Sequence, residues 1–167
     1  TMRTDTDHLP AAKQRELERV VHILFEEFED ARGQPTGDKK LGRILKIILF
    51  GSYARTDWVD EPENGYLSDF DLLIVVNHEK LTNIADYWWS SEDQILRDPA
   101  VGRMVNLIVH DMQDVNDALR RGEYFWSDIV RDGIALYEIP GHPFASPKPI
   151  TAQDAFVMAE RHFAETL

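Results

Sequence analysis

The sequence predicts an α/β (α+β) fold, a mixed sheet flanked by helices, and three observations carry that expectation. Apolar residues recur at helical spacing near the N-terminus. Compact apolar runs rich in β-branched residues follow at 43–50, 69–76 and 104–110, and amphipathic stretches lie between and after them. At 167 residues, with 43% apolar and 10% aromatic residues, the chain is long enough to bury one good core plus a small appendage.

Taken in order, the first helix runs from about Ala11 to Ala31, with Leu17, Val21, Leu24 and Phe28 on one face, and stops near Gly33. After a loop to Lys40, Arg43 to Phe50 reads as a buried strand that ends abruptly at Gly51-Ser52, ahead of a short helix-compatible stretch, Tyr53 to Trp58. A second strand is expected at Asp69 to Val76, a helix at Leu81 to Arg97 and a third strand at Met104 to His110. Helices near Asp114 to Arg120 and Tyr124 to Arg131 precede a short strand, Ile134 to Glu138. Residues 140–149 hold four of the eight prolines and read as a linker. Beyond it, Thr151 is placed to cap a helix carrying Ala155, Phe156, Ala159 and Phe163 on one face. The expected organisation is therefore one domain over 1–139, a linker over 140–150 and the start of a helical unit over 151–167.

Two segments carry chemistry. A strand that feeds a helix start through Gly51-Ser52 lets the backbone approach a ligand closely and aims free N–H groups at it, so a phosphate is the natural guest. Ser52 adds a hydroxyl there. In the second segment, residues two apart on a strand face the same way, so Asp69 and Asp71 project together while Phe70 and Leu72 turn to the other side. Two aligned carboxylates suit Mg²⁺, a hard cation commonly held by one or two carboxylates plus substrate phosphates. Alone, a Gly-Ser pair is usually just a turn and Asp-x-Asp usually a solvated strand end. Together, with the carboxylates opening a strongly apolar strand, they point to a nucleotide site.

This combination resembles the signature of the DNA polymerase β-like nucleotidyltransferase superfamily, in particular its minimal bacterial or archaeal type and the related antibiotic nucleotidyltransferases. The resemblance covers about Ile44 to Glu138: the turn, the Asp pair, the later strand Met104 to His110, and the closing segment Asp132-Gly133-Ile134-Ala135-Leu136-Tyr137. It implies a triphosphate, ATP or another nucleoside triphosphate, on Gly51 and Ser52. It also implies Mg²⁺ on Asp69 and Asp71, with a third acidic residue on the following strand. Arg55, just after the turn, is placed either to reach the phosphates or to serve as a surface arginine.

Two departures stand out. The connection Tyr53 to Ser68 is longer than in minimal members and carries an acidic insert, Asp60-Glu61-Pro62-Glu63-Asn64-Gly65, read as a lengthened surface loop. The third acidic position aligns with Asn106, whose amide cannot act as a general base but can still ligate through its carbonyl. Asp111, just past the strand, is a substitute carboxylate or the N-cap of the next helix. The expected activity is transfer of a nucleoside monophosphate, AMP from ATP, to an acceptor hydroxyl on a small molecule such as an antibiotic or on a protein. The rival is a nucleotide-binding regulatory or antitoxin-like module that has lost catalysis and acts through a HEPN partner, and Asn106 separates the two.

The remaining features fix partners and context. Lys plus Arg of 18 against Asp plus Glu of 30 gives 18 − 30 = −12, the wrong sign for broad neutralisation of nucleic acid. No cysteine, long apolar span or signal-like start is present in the sequence, which predicts a cytoplasmic setting without membrane partners. Adjacent Trp88 and Trp89 cannot share one helix face, so one is expected in the core and the other at the surface or an interface, and a homodimer is expected. No histidine shows metal-ligand spacing; His110 shares a strand face with Asn106 and is assigned to core packing. Thr1 before Met2 and an uncapped end at Leu167 predict a piece of a longer protein, and 151–167 is similar to the start of a HEPN domain.

Overall fold

The computed structural model describes residues 2–33, 42–61, 63 and 66–149. Among these, four α-helices flank a four-stranded mixed sheet, as the sequence predicts. The elements are α1 (Ala11–Arg32), β1 (Ile44–Phe50), β2 (Asp60–Glu61), β3 (Tyr66–Leu67), β4 (Phe70–Val76), α2 (Trp89–Arg97), β5 (Val105–Asp111), α3 (Met112–Arg121), α4 (Tyr124–Asp132) and β6 (Ile134–Glu138). The expected helix over 151–167 lies outside the described residues.

Strand order is β5-β4-β1-β6, with β1 antiparallel to both neighbours and β4 parallel to β5. The central strands are apolar on both sides because both faces are covered. On one face, Ile47, Leu49, Leu72 and Ile74 pack with Leu17, Leu24 and Phe28 of α1 and with Trp88. On the other, Ile48, Leu73 and Val75 pack with Val115 and Leu119 of α3 and with Trp126 and Ile129 of α4. Each such side chain contributes about 1.5–3 kcal/mol on burial. The result is a three-layer domain whose sheet ends are fixed from both sides.

Two expected helices take other forms. Leu81 to Arg97 is divided into a 3₁₀ turn (Glu79–Thr82), a π-helical turn (Ile84–Trp88) and α2. The Asn83 side chain caps the π turn by accepting from the Asp86 N–H at 3.1 Å, and the Trp88 indole donates to the Leu81 carbonyl at 2.7 Å. This local rewinding drives Trp88 fully into the core, stacked on Phe28 with ring centroids 5.0 Å apart, and leaves Trp89 64% exposed. The two tryptophans thus divide as expected.

Residues 51–56 form hydrogen-bonded turns rather than a regular helix. A ring nitrogen of His8 bonds the Tyr53 carbonyl at 2.7 Å, occupying the acceptor a continuing helix would use, and the Tyr53 ring is buried against Phe70 and Trp58. The acidic insert opens as the hairpin β2–β3, and Asp60 is tied to Lys13 at 3.1 Å and to Arg103 at 3.6 Å. Residues 140–149 carry no helix or strand, yet Phe144 covers Lys46 and the Lys148 N–H donates to the Leu119 carbonyl at 3.0 Å.

Candidate active site

Three adjacent strands bring the site together at one end of the sheet. Antiparallel pairing sets Phe50 opposite Asp71, and parallel pairing sets Asp71 opposite Asn106. Gly51 follows Phe50 directly, and Asp69 lies just ahead of β4. The four sequence-predicted residues Gly51, Asp69, Asp71 and Asn106 therefore come from three segments to one spot.

The contacts are specific. The Asn106 Nδ2 donates to Asp69 Oδ2 at 3.2 Å and to Asp71 Oδ1 at 2.9 Å, so one amide clamps both carboxylates. Asp71 Oδ2 faces the turn: a Cβ placed on Gly51 would lie 2.3 Å from it. Gly51 also has φ of +76°, a conformation L side chains rarely adopt. Glycine is required there twice over, once for the backbone and once for the carboxylate that occupies its missing side chain. Burial is the main cause that pushes the Asp71 carboxyl above its ordinary pKa; the Asp69 charge adds to this, while the Asn106 hydrogen bond and the Arg55 charge oppose it.

The other expected residues divide between this group and the far end of β5. Ser52 follows Gly51 in the turn and is partly buried. Arg55 is exposed and paired with Asp57 at 3.2 Å, but its field reaches both Asp71 and Asp132. Asp111 is not part of the site. It sits opposite Val76 at the far end of β5, and its carboxylate caps α3 by accepting from the Asp114 N–H at 3.1 Å. His110 also lies at that end, 2.8 Å from Asp114 and edge-on to Trp126.

Arg103 escaped the sequence reading. Its guanidinium is buried and bonds the Tyr53 hydroxyl, the Ser68 carbonyl at 3.3 Å and Glu16 at 2.8 Å. It thereby ties the turn after Gly51 to the residue before Asp69. Nothing local marks it, since a lone arginine after Gly102 reads as a loop charge. Phe125 is 40% exposed and meets Phe50, the residue opposite Asp71, edge-on at 5.9 Å.

Chemically, the group offers hard oxygen donors. Among the described residues no cluster of three or more His, Cys, Asp or Glu side chains suited to a metal is present. The donor set is therefore two carboxylates plus the Asn106 carbonyl on reorientation. That set fits Mg²⁺ bound jointly with substrate phosphates better than a cation caged by protein alone.

No protein-family model matches the chain. Over 37 residues it is 60% identical to a protein of Methanocaldococcus jannaschii provisionally named a protein adenylyltransferase, a match that covers 22% of this chain and 31% of that protein. The chain thus aligns with less than a third of that relative's length, and the likeness supports kinship with a nucleotidyltransferase-type family at most.

Proposed function

We propose that this protein is a Mg²⁺-dependent nucleotidyltransferase that moves a nucleoside monophosphate, AMP from ATP, to an acceptor hydroxyl. The observation that carries this reading is the convergence of Asp69, Asp71 and Asn106 on the Gly51 turn. The Gly51-Ser52 backbone holds the triphosphate, and Asp69 and Asp71 hold Mg²⁺, which when bound neutralises charge developing on the phosphates. Asn106 fixes the two carboxylates relative to each other. The acceptor oxygen bonds to the α-phosphorus, the bond from that phosphorus to the bridging oxygen breaks, pyrophosphate leaves with the electron pair, and the acceptor proton passes to water. Arg55, already oriented by Asp57, supplies positive potential over the turn.

One observation favours a second reading. With an amide at position 106, the site lacks a third carboxylate to accept the acceptor's proton, as expected of a nucleotide-binding module that regulates a partner such as a HEPN domain. Incubation with α-labelled ATP, Mg²⁺ and candidate small-molecule and protein acceptors decides between them. Label on an acceptor is expected from the enzyme. A nucleotide-induced rise in Tm with no label on any acceptor would favour the regulatory module.

A further inference from the structure

The two edges of the sheet are treated differently. At β6, the Arg3 carbonyl accepts from the Ala135 N–H at 2.8 Å and a parallel bridge joins Arg3 to Ile134, so the N-terminal segment covers that edge. At β5, among the described residues, β4 is the sole strand partner. Asn106 lies in the first half of this edge strand, at the end of the sheet that holds the site. The Met104 carbonyl points inward, accepting from the Phe70 N–H at 3.1 Å. By strand alternation, the main-chain groups of Val105 and Leu107 then point outward, and those of Asn106 point toward β4.

A groove of about 370 Å³ lies between β5 and α2, lined by Ile95, Leu96, Met104 and Leu107; of its two charged residues, Arg103 is already paired with Glu16 and Asp60, which leaves Glu92 to face an incoming segment. Leu96 is 75% exposed and Met104 61% exposed, a large apolar surface for an acidic chain of net charge −12. Asn106, the residue that clamps Asp69 and Asp71, is among the residues that line the groove. An open strand edge is matched by another extended main chain, and period-two side chains would divide between the two faces of the sheet.

We propose that the first half of β5 is the acceptor-binding edge: an extended, basic segment of an acceptor protein adds to it as a fifth strand. This rests on the transferase reading of the site and names its acceptor class. A hydroxyl residue opposite Asn106 lies on the Asp69–Asp71 side, and the residues before and after it drop into the α2 groove. The segment therefore alternates apolar, hydroxyl, apolar. Flanking lysine or arginine complements Glu92 and the net negative charge. With a nucleoside triphosphate bound, the hydroxyl oxygen bonds to the α-phosphorus and takes the nucleoside monophosphate, the bond from that phosphorus to the α,β-bridging oxygen breaks, pyrophosphate leaves with the electron pair, and the proton goes to water.

The test uses fluorescein-labelled nonapeptides with a central Val-Tyr-Val between lysines, against a control in which the tyrosine is moved by one position. Anisotropy is read without nucleotide, and label transfer with α-labelled ATP and Mg²⁺. Binding is expected for the first peptide, weakened at least about tenfold in the control, by Leu96→Ser with Met104→Ser, and by Val105→Pro, which removes an outward N–H. Far-ultraviolet dichroism and the ATP-induced rise in Tm, followed on every variant, show that the fold and nucleotide site persist. Equal binding of both peptides, or binding indifferent to all three substitutions, would overturn the proposal. So would light scattering showing that the edge is filled by a second copy, as a dimer that Leu96→Ser with Met104→Ser dissociates. Register-dependent peptide binding without any ATP response would keep the edge and sink the transferase reading instead.

Discussion

Both ends of the central strands carry charge into an apolar sheet, but the two ends dispose of it in different ways. At the far end, Lys46 is buried, yet it pairs with Glu138 across β6 at 3.6 Å and lies 4.7 Å from the Phe144 ring. Asp111 there caps α3, and His110 meets Asp114. At the near end, Asp69 and Asp71 share the Asn106 amide as a hydrogen-bond donor, Arg55 acts on Asp71 through its field, and among the described residues no cation forms an ion pair with either carboxylate. Charge that is matched locally costs the fold less than charge left unmatched, though burial of Lys46 still outweighs the pull of Glu138. Two like charges held together without a cation cost stability, and such a cost persists where a ligand will supply the missing charge.

The comparison breaks most sharply at the carboxylates. Asp69→Asn with Asp71→Asn should reduce nucleotidyl transfer by at least about a hundredfold and remove the Mg²⁺-dependent part of the ATP-induced rise in Tm, while leaving the fold intact. Persistence of the full shift in the double variant would put the metal elsewhere. Asn106→Asp comes next: it supplies the third charge, so transfer should rise, or emerge where wild type shows none, by up to the roughly hundredfold to ten-thousandfold that a general base provides. If an active wild type instead lost activity on this change, the amide itself would be the required ligand.

At the far end the expected effects are on stability. Asp111→Ala removes a helix cap worth about 1 kcal/mol, lowering Tm by about 2–4 °C with transfer unchanged. A large loss of activity in that variant would move the third carboxylate there after all. Lys46 gives the smallest effect and a pH signature. Burial is the chief cause that lowers its pKa, against the raising influence of Glu138. The unfolded chain therefore holds the proton more tightly, and stability from this group rises as pH climbs from the folded pKa to the ordinary lysine value. Lys46→Met should be the more stable form near neutrality, with the gap in denaturant midpoint closing as pH rises toward about 10. A gap independent of pH would mean that the buried lysine carries no such cost.

Much of this was open to the sequence because its causes are local. β1 and β4 read as buried strands from their apolar runs, and β6 was legible to the residue at Ile134–Glu138. Gly51 before Ser52 and the two-residue spacing of Asp69 and Asp71 announce a turn and a shared face without any tertiary knowledge. The expected Leu81–Arg97 helix is broken where the Trp88 indole claims the Leu81 carbonyl, which period alone cannot show. The helix after the turn failed for the same kind of reason, with His8, far away in sequence, taking the Tyr53 carbonyl.

The sequence by itself determined which residues could do the chemistry: a glycine turn, two carboxylates on one strand face, and an amide at the third position. Only the tertiary structure decided which of them meet. Asn106 and Asp111 stood as rival third residues on one short segment, and the parallel register of β4 with β5 separated them, placing Asn106 beside Asp71 and Asp111 beside Val76. Register is a property of the pair of strands, fixed by how both faces pack, so neither strand alone encodes it. The same holds for Arg103, an ordinary loop arginine in sequence, which long-range packing turns into the tie between Tyr53 and Ser68.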